Sequence, residues 1–326
     1  VTSPSDAPAT TQILPPTTQA IGEATWALAS GQLVAFPTET VYGLGADARN
    51  GVAVAKIFAA KGRPSFNPLI AHVASLDEAK LAGDFDARAQ KLGEAFWPGP
   101  LTLVVPCTAG CPVHELARAG LPTVALRVPA HPVAQALLYE FGAPVVAPSA
   151  NASGRVSPTS AQHVAEDLAG KVAYILDDGR TEIGLESTVI ACLPNEPVRL
   201  LRPGGIARED IERVLGEKLE EATDAVQAPG MLAQHYAPNA HVRLNAADVA
   251  AGEAFLGFGA TEPLGGRGIA HLNLSPSGDL AEAAANLFAY LRELDALGPT
   301  VIAVAPVPGH GLGEAINDRL TRAAAR

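Results

Sequence analysis

The chain has 326 residues, of which 48% are hydrophobic, 17% charged and 5% aromatic. At a soft ~150 residues per domain that length suggests two ordinary domains, and the aliphatic content excludes a mainly disordered chain. A net charge of −11 excludes the overall cationic field that drives unspecific binding to nucleic acid or anionic membranes, so an anionic ligand needs a local site.

Residues 1–19 are rich in Pro, Thr, Ser and Ala with one charge, which predicts a disordered tail. Residues 20–210 alternate short aliphatic runs bounded by Gly and Pro with helix-like stretches, the pattern of an α/β domain. Strands are predicted at 33–36, 68–74, 101–106, 123–128, 144–147, 173–177, 187–193 and 197–202. Helical spacing of apolar residues predicts helices at 51–62, 85–96, 131–141 and 160–169. Residues 211–240 read as an acidic helix followed by a linker; from 204 to 240 there are three basic against seven acidic residues. Residues 241–326 read as strand, helix, strand, strand, helix, strand, helix, a small Rossmann-like unit without its phosphate fingerprint. The clearest helix there starts at Asp279, three residues before Glu282, carries Leu280, Ala284, Leu287, Leu291 and Leu294 on one face, and stops at Gly298-Pro299.

Cys107, Cys111 and Cys192 are too few for a disulfide framework or a zinc site, which points to a reducing cytoplasm. No signal pattern and no apolar run near the ~18 residues of a membrane span is expected to secrete or anchor the chain.

Four segments carry more polar chemistry than turns require. Thr38, Glu39 and Thr40 directly follow a predicted strand, where open α/β sheets bind ligands; a capped loop with glycines serving positive φ is the plainer reading. Lys61, Arg63, Asn67 and His72 fall within one helix-to-strand connection, where two cations could hold phosphate oxygens or simply cap a helix dipole. Arg127 interrupts the apolar strand Thr123-Val124-Ala125-Leu126, so it demands an anion, either a protein carboxylate or a ligand. Ser149-Ala150-Asn151 through Ser157 could form an anion-binding nest or a loop leading to a helix cap. Glu186-Ser187-Thr188 and Arg202-Pro203-Gly204 are weaker signals. No P-loop, nucleophile elbow or His-Glu-x2-His zinc helix is present, so residue chemistry reaches an anion-binding α/β crevice and stops there.

In order along the chain, Pro37 to Gly45, Lys61-Gly62-Arg63-Pro64, Asn67-Pro68-Leu69, His72, Trp97 to Thr102, Thr123 to Arg127, Ser149-Ala150-Asn151, Glu186 to Val189 and Arg202-Pro203-Gly204 resemble the threonylcarbamoyl-AMP synthase family. The run from Ala228-Pro229-Gly230-Met231 to His235-Tyr236-Ala237-Pro238, and the ending Gly311 to Leu320, are similar to its long form alone. The resemblance implies a YrdC-like twisted mixed sheet with helices, joined by a linker to a small Rossmann-like α/β domain. It implies conversion of L-threonine, bicarbonate or CO2, and ATP into threonylcarbamoyl-adenylate and pyrophosphate, with Mg²⁺ expected alongside ATP. A downstream transferase would then place the group on tRNA, and no strong direct nucleic-acid binding is expected.

By the same resemblance Thr40, His72, Arg127 and Ser187 would hold threonine, with the Ala147 carbonyl on its amine. Lys61, Arg63, Asn67, Thr123, Ser149, Asn151, Ser157 and Arg202 would bind ATP, and Tyr236 would close over the nucleotide from a lid-like linker. Some long-form members carry basic residues before the His-Tyr pair where this chain has Leu232-Ala233-Gln234, which puts a phosphate contact there in doubt. A non-catalytic RNA-binding protein is the alternative of a different class, disfavoured by the charge of −11. A carbamoyl-adenylate-forming domain of the hydrogenase-maturation kind is the closer chemical rival, but its usual zinc-finger segments need more than three cysteines.

Overall fold

The computed structural model describes residues 10–64, 66–222, 236–260, 263–266 and 268–325. The linker motif from Ala228 to His235, with the Leu232-Ala233-Gln234 departure, lies outside the described residues, as do Ser65 and residues 1–9.

The first sheet begins inside the segment expected to be a tail. β1 (Gln12–Leu14) pairs in parallel with β8 (Tyr174–Leu176), and Thr17 caps α1 (Thr18–Ala29) through the Ala20 amide. The tail reading is therefore corrected from residue 10 onward: Pro15-Pro16 is a junction ahead of a helix cap, and α1 buries Ala20, Ala24, Ala27 and Leu28. β2 (Val34–Phe36), β3 (Gly43–Asp47), α2 (Gly51–Lys61), β4 (Ile70–His72), α3 (Leu76–Ala82), α4 (Ala87–Phe96), β5 (Leu101–Pro106) and β6 (Thr123–Arg127) follow. Then come α5 (Pro132–Phe141), β7 (Val145–Val146), α6 (Ala161–Leu168), β8, β9 (Thr188–Ala191), β10 (Arg199–Arg202), α7 (Arg208–Leu215) and β11 (Glu220–Glu221). The eleven described strands run in the order β1-β8-β2-β3-β7-β4-β6-β5-β9-β10-β11, with parallel and antiparallel neighbours mixed.

Period-two alternation divides this sheet between two environments. Leu101, Leu103 and Val105 of β5 join the main core with Val54, Ile57 and Leu92 from the helices. On the opposite face Ile70, Val104, Ala125, Val189, Ala191 and Leu201 form a smaller apolar floor. Functional side chains occupy the rim of that second face.

The boundary expected between 210 and 211 cuts through α7, which starts at Arg208, so the acidic helix is continuous with the preceding segment. The second unit comprises β12 (His241–Arg243), β13 (Ala254–Gly257), β14 (Ala270–Asn273), α8 (Leu280–Ala296), β15 (Val301–Val304) and α9 (Leu312–Ala324). Its four strands are all parallel, in the order β12-β15-β13-β14. Asp279 caps α8 by accepting from the Glu282 amide. The helix expected between the first two strands is absent: Asn245 and Gly252 both take positive φ there, and a turn replaces it.

The two units share one core. Val41, Val156 and Leu185 of the first pack with Phe288, Leu287 and Ile316 of the second. Arg292 on α8 pairs with Asp167 at 2.8 Å, and Arg208 on α7 with Glu314 on α9 at 2.6 Å. Among the described residues no helix is long and apolar enough to cross a membrane.

Candidate active site

A narrow cleft opens at the carboxyl ends of β4 and β6, lined by loops that follow or precede strands. Thr40, Arg63, His72, Arg127, Ala147, Ser149, Ser187, Arg202 and Tyr236 all reach its wall, joined by Val41, Ile70, Pro148 and Glu186.

The Pro37 to Gly45 segment reaches the cleft differently from a capped loop. Thr38 Oγ1 lies 2.8 Å from Thr40 Oγ1 and donates to the Val41 carbonyl at 2.7 Å, fixing the bend after β2. The chain then returns as β3 rather than continuing as a turn. Neither Gly43 nor Gly45 has positive φ; a Cβ on Gly45 would stand 2.9 Å from the Phe36 ring, so close packing explains that glycine.

Arg127 ends β6 beside His72, its register partner on β4. Its Nη2 stands 2.7 Å from Glu39 Oε1, and both side chains are buried. Sequence reasoning left a protein carboxylate or a ligand open as Arg127's anion; Glu39 supplies the former, while the arginine still lines the cleft. The approach lacks hydrogen-bond alignment, and both Glu39 oxygens remain without hydrogen-bond partners. His72 is also buried, edge-on to Phe36, with Nδ1 unpartnered. Burial, reinforced by the Arg127 charge, pushes its pKa down to about 3, so the imidazole is neutral at physiological pH. Ser187 Oγ, 2.7 Å from Thr102 Oγ1, accepts from Arg202 Nη2 at 3.1 Å.

A second cationic group comes from the end of α2 and the end of β10. Gly62 closes α2 in the left-handed conformation, at φ 64°, and sends Lys61 and Arg63 inward on either side of itself. Arg63 donates to the Pro68 carbonyl at 3.1 Å, but its Nε is buried without a partner. Burial lowers its pKa to about 10. Arg202 grips the Ser187 carbonyl through Nε and Nη2.

Lys61 is placed otherwise than expected. Its ammonium donates to the carbonyls of Ser149 and Asn151, both at 2.5 Å, and to Asn151 Oδ1 at 3.3 Å, which commits its three donors to the 149–151 loop. Burial and the neighbouring Arg63 lower its pKa well below the usual lysine value. Asn151 further ties the loop by donating to the Ala152 and Arg155 carbonyls. Asn67 is buried behind Arg63 in sequence, with Oδ1 unpartnered. Lys61, Asn67, Asn151 and Ser157 therefore stand outside the immediate lining. Thr123 is not in the lining either; it shares the Ala125–Arg127 face of β6, four residues and roughly 13 Å from Arg127. The Ala147 amide donates to the Ile70 carbonyl, and Tyr236, at φ 65°, stacks on Phe288 with ring centroids 5.5 Å apart.

Two participants were missed. The sequence places Glu39 only beside a crevice and gives Arg319 on α9 no role. Arg319 is completely buried, bonded to Glu186 Oε2 at 2.8 Å and placed over the Tyr236 ring at 5.1 Å. Its signal was present: it interrupts the helical stripe Ile316, Leu320, Ala323, where a charge requires a partner. Among the described residues no group of three or more His, Cys, Asp or Glu could hold a metal, and Glu186 is engaged by Arg319 and Ser157.

The family model for Sua5, YciO and YrdC proteins, described as telomere recombination, matches residues 26–204. The model described as threonylcarbamoyl-AMP synthase, C-terminal domain, matches residues 206–325. The chain is 43% identical to a threonylcarbamoyl-AMP synthase of Bacillus subtilis, over 93% of this chain and 92% of the relative. It is 45% identical to one from Pyrococcus abyssi, over 90% of each. The crystal structure of P. abyssi Sua5 complexed with L-threonine superposes with a TM-score of 0.85 at 39% identity, covering 97% of both chains.

Proposed function

The chain belongs to the threonylcarbamoyl-AMP synthase family, and from that premise we infer that its cleft joins L-threonine, bicarbonate or CO2, and ATP into threonylcarbamoyl-AMP and pyrophosphate. The observation that carries this reading is that three guanidinium groups, Arg127 beside neutral His72, Arg63 and Arg202, share one cleft lining.

Arg127 faces the threonine carboxylate, with Thr40, neutral His72 and Ser187 around the rest of the amino acid and the Ala147 carbonyl on the amine. The amine loses a proton on forming its carbamate with CO2. A carbamate oxygen then attacks the α-phosphorus of ATP as the bond to pyrophosphate breaks, and no covalent intermediate with the chain is needed. Catalysis of this kind rests on positioning and on charge stabilisation in a water-poor cavity. Arg63, with its spare buried Nε, and Arg202 are the direct candidates for the phosphates. Ser149 lies at the same wall; Lys61, Asn67, Asn151 and Ser157 hold the loops behind it. Thr123, further along the face of β6, would meet the nucleoside end, while Tyr236 covers the cleft. Mg²⁺ bound to the incoming ATP would shield the phosphates beside Arg63 and Arg202. The product serves a downstream tRNA-modifying transferase in the cytoplasm.

Mass spectrometry of a reaction containing the protein, Mg·ATP, bicarbonate and L-threonine is expected to detect threonylcarbamoyl-AMP. Formation of ADP or of a threonyl-adenylate instead would overturn the reaction assigned.

A further inference from the structure

Glu186 is the sole acidic side chain among the described residues lining the cleft. It is buried in a site that, on the reading above, receives a triphosphate. One oxygen accepts from Ser157 at 2.5 Å, and the other is held by Arg319, which arrives from α9 of the second unit. The same guanidinium donates to the Pro203 carbonyl at 3.0 Å, next to Arg202, and lies over the Tyr236 ring. Arg319 thus meets three separate parts of the cleft wall while being wholly shielded from solvent.

We propose that the C-terminal unit completes the nucleotide site through Arg319, a positioning residue that neutralises Glu186, the acidic group in the cleft's lining. Like charges in a low-dielectric pocket repel strongly, so an uncompensated carboxylate at Glu186 would oppose the nucleotide. Burial alone would raise the Glu186 pKa, but Arg319, Arg202 and the Ser157 bond hold it at about 2, so the group is anionic at any working pH. Burial opposes the Arg319 charge too, and Tyr236, Glu186 and Asp318 outweigh it. The carboxylate and its counter-ion therefore operate as a pair whose halves belong to different units.

The inference rests on the nucleotide half of the reading above, and direct binding tests it apart from turnover. Calorimetry of the full chain with Mg²⁺ and a non-hydrolysable ATP analogue is expected to show Arg319→Gln weakening binding about tenfold or more, since unpaired buried charges are costly. Threonine affinity should stay within about twofold of the starting protein, because Arg319 touches none of the Arg127 group. The double variant Arg319→Gln/Glu186→Gln, which removes the stranded anion together with its partner, should recover most of the analogue affinity. A purely structural pin would weaken both ligands alike and gain nothing from the second substitution; either result would overturn the proposal. Should Arg319→Gln fail to fold, Glu186→Gln alone decides the sign: tighter analogue binding is expected, and weaker binding overturns the proposal. If the starting protein binds the analogue and these shifts occur while threonine supports no turnover, the synthase reading falls and the charge pairing stands.

Discussion

At the residue scale, Arg127 pairs with Glu39 inside the protein and, on the proposed function, would also hold the threonine carboxylate in the cleft. A lysine at this position would keep a positive charge toward Glu39 but lose the planar fork. Arg127→Lys is therefore expected to weaken threonine binding roughly 10–100-fold, the worth of a charged hydrogen bond, while ATP affinity moves less than about threefold. Equal losses for both ligands, measured by calorimetry, would remove Arg127 from the carboxylate. His72 gives a second handle. Its pKa is lowered from 6.5 to about 3 by folding, so between those values the unfolded chain binds a proton that the folded chain refuses. Stability from this group is complete above pH 6.5 and is lost as pH falls towards 3. Urea midpoints measured from pH 7.5 to 4.5 should fall less steeply in His72→Gln, by up to about 1.4 kcal/mol per pH unit, one proton's worth. Parallel slopes would show that His72 titrates normally. Arg127 was legible because a charge in an apolar strand stands out in the sequence, whereas His72 drew notice only through its company with Lys61, Arg63 and Asn67. The use of Lys61 was not, because only the fold brings the carbonyls of residues 149 and 151 to its ammonium.

At the element scale, the aliphatic runs of 33–36, 101–106 and 123–128 declared their strands, since burial on both faces leaves little room for other residue types. β3 did not: Gly43-Leu44-Gly45-Ala46-Asp47 has the composition of a turn, and it becomes a strand because small residues are needed between Phe36 and Val145. β1 and the start of α1 were hidden by Pro15-Pro16, read as a tail although Thr17 supplies a helix cap. The loop before β9 depends on a glycine whose reason is tertiary. Gly184 has φ 69°, and a Cβ there would come within 2.6 Å of the Ala284 carbonyl oxygen on α8. Gly184→Ala therefore combines backbone strain with displacement of α8, and a loss of about 1–3 kcal/mol is expected in chemical denaturation. An unchanged midpoint would show that the loop and α8 are not held this closely.

At the scale of the whole molecule, the expectation of two α/β units came from length and the order of apolar segments, and that of a mixed sheet in the first from the family resemblance. Their union did not, because it depends on Val41, Val156 and Leu185 meeting Phe288 and Ile316 across long sequence separations. That shared core carries the loops bearing Thr40, Ser157 and Glu186, so the second unit supports the cleft's wall as well as supplying Arg319 to it. The cleft's chemistry is tested most directly by pyrophosphate release from the full chain with Mg·ATP and bicarbonate, in the presence of L-threonine, of serine, or of neither. Release that requires threonine, with serine a distinctly poorer substrate, is the expected result; release at the same rate without any amino acid, or none with threonine present, would contradict the assignment of this cleft to threonylcarbamoyl-AMP synthesis.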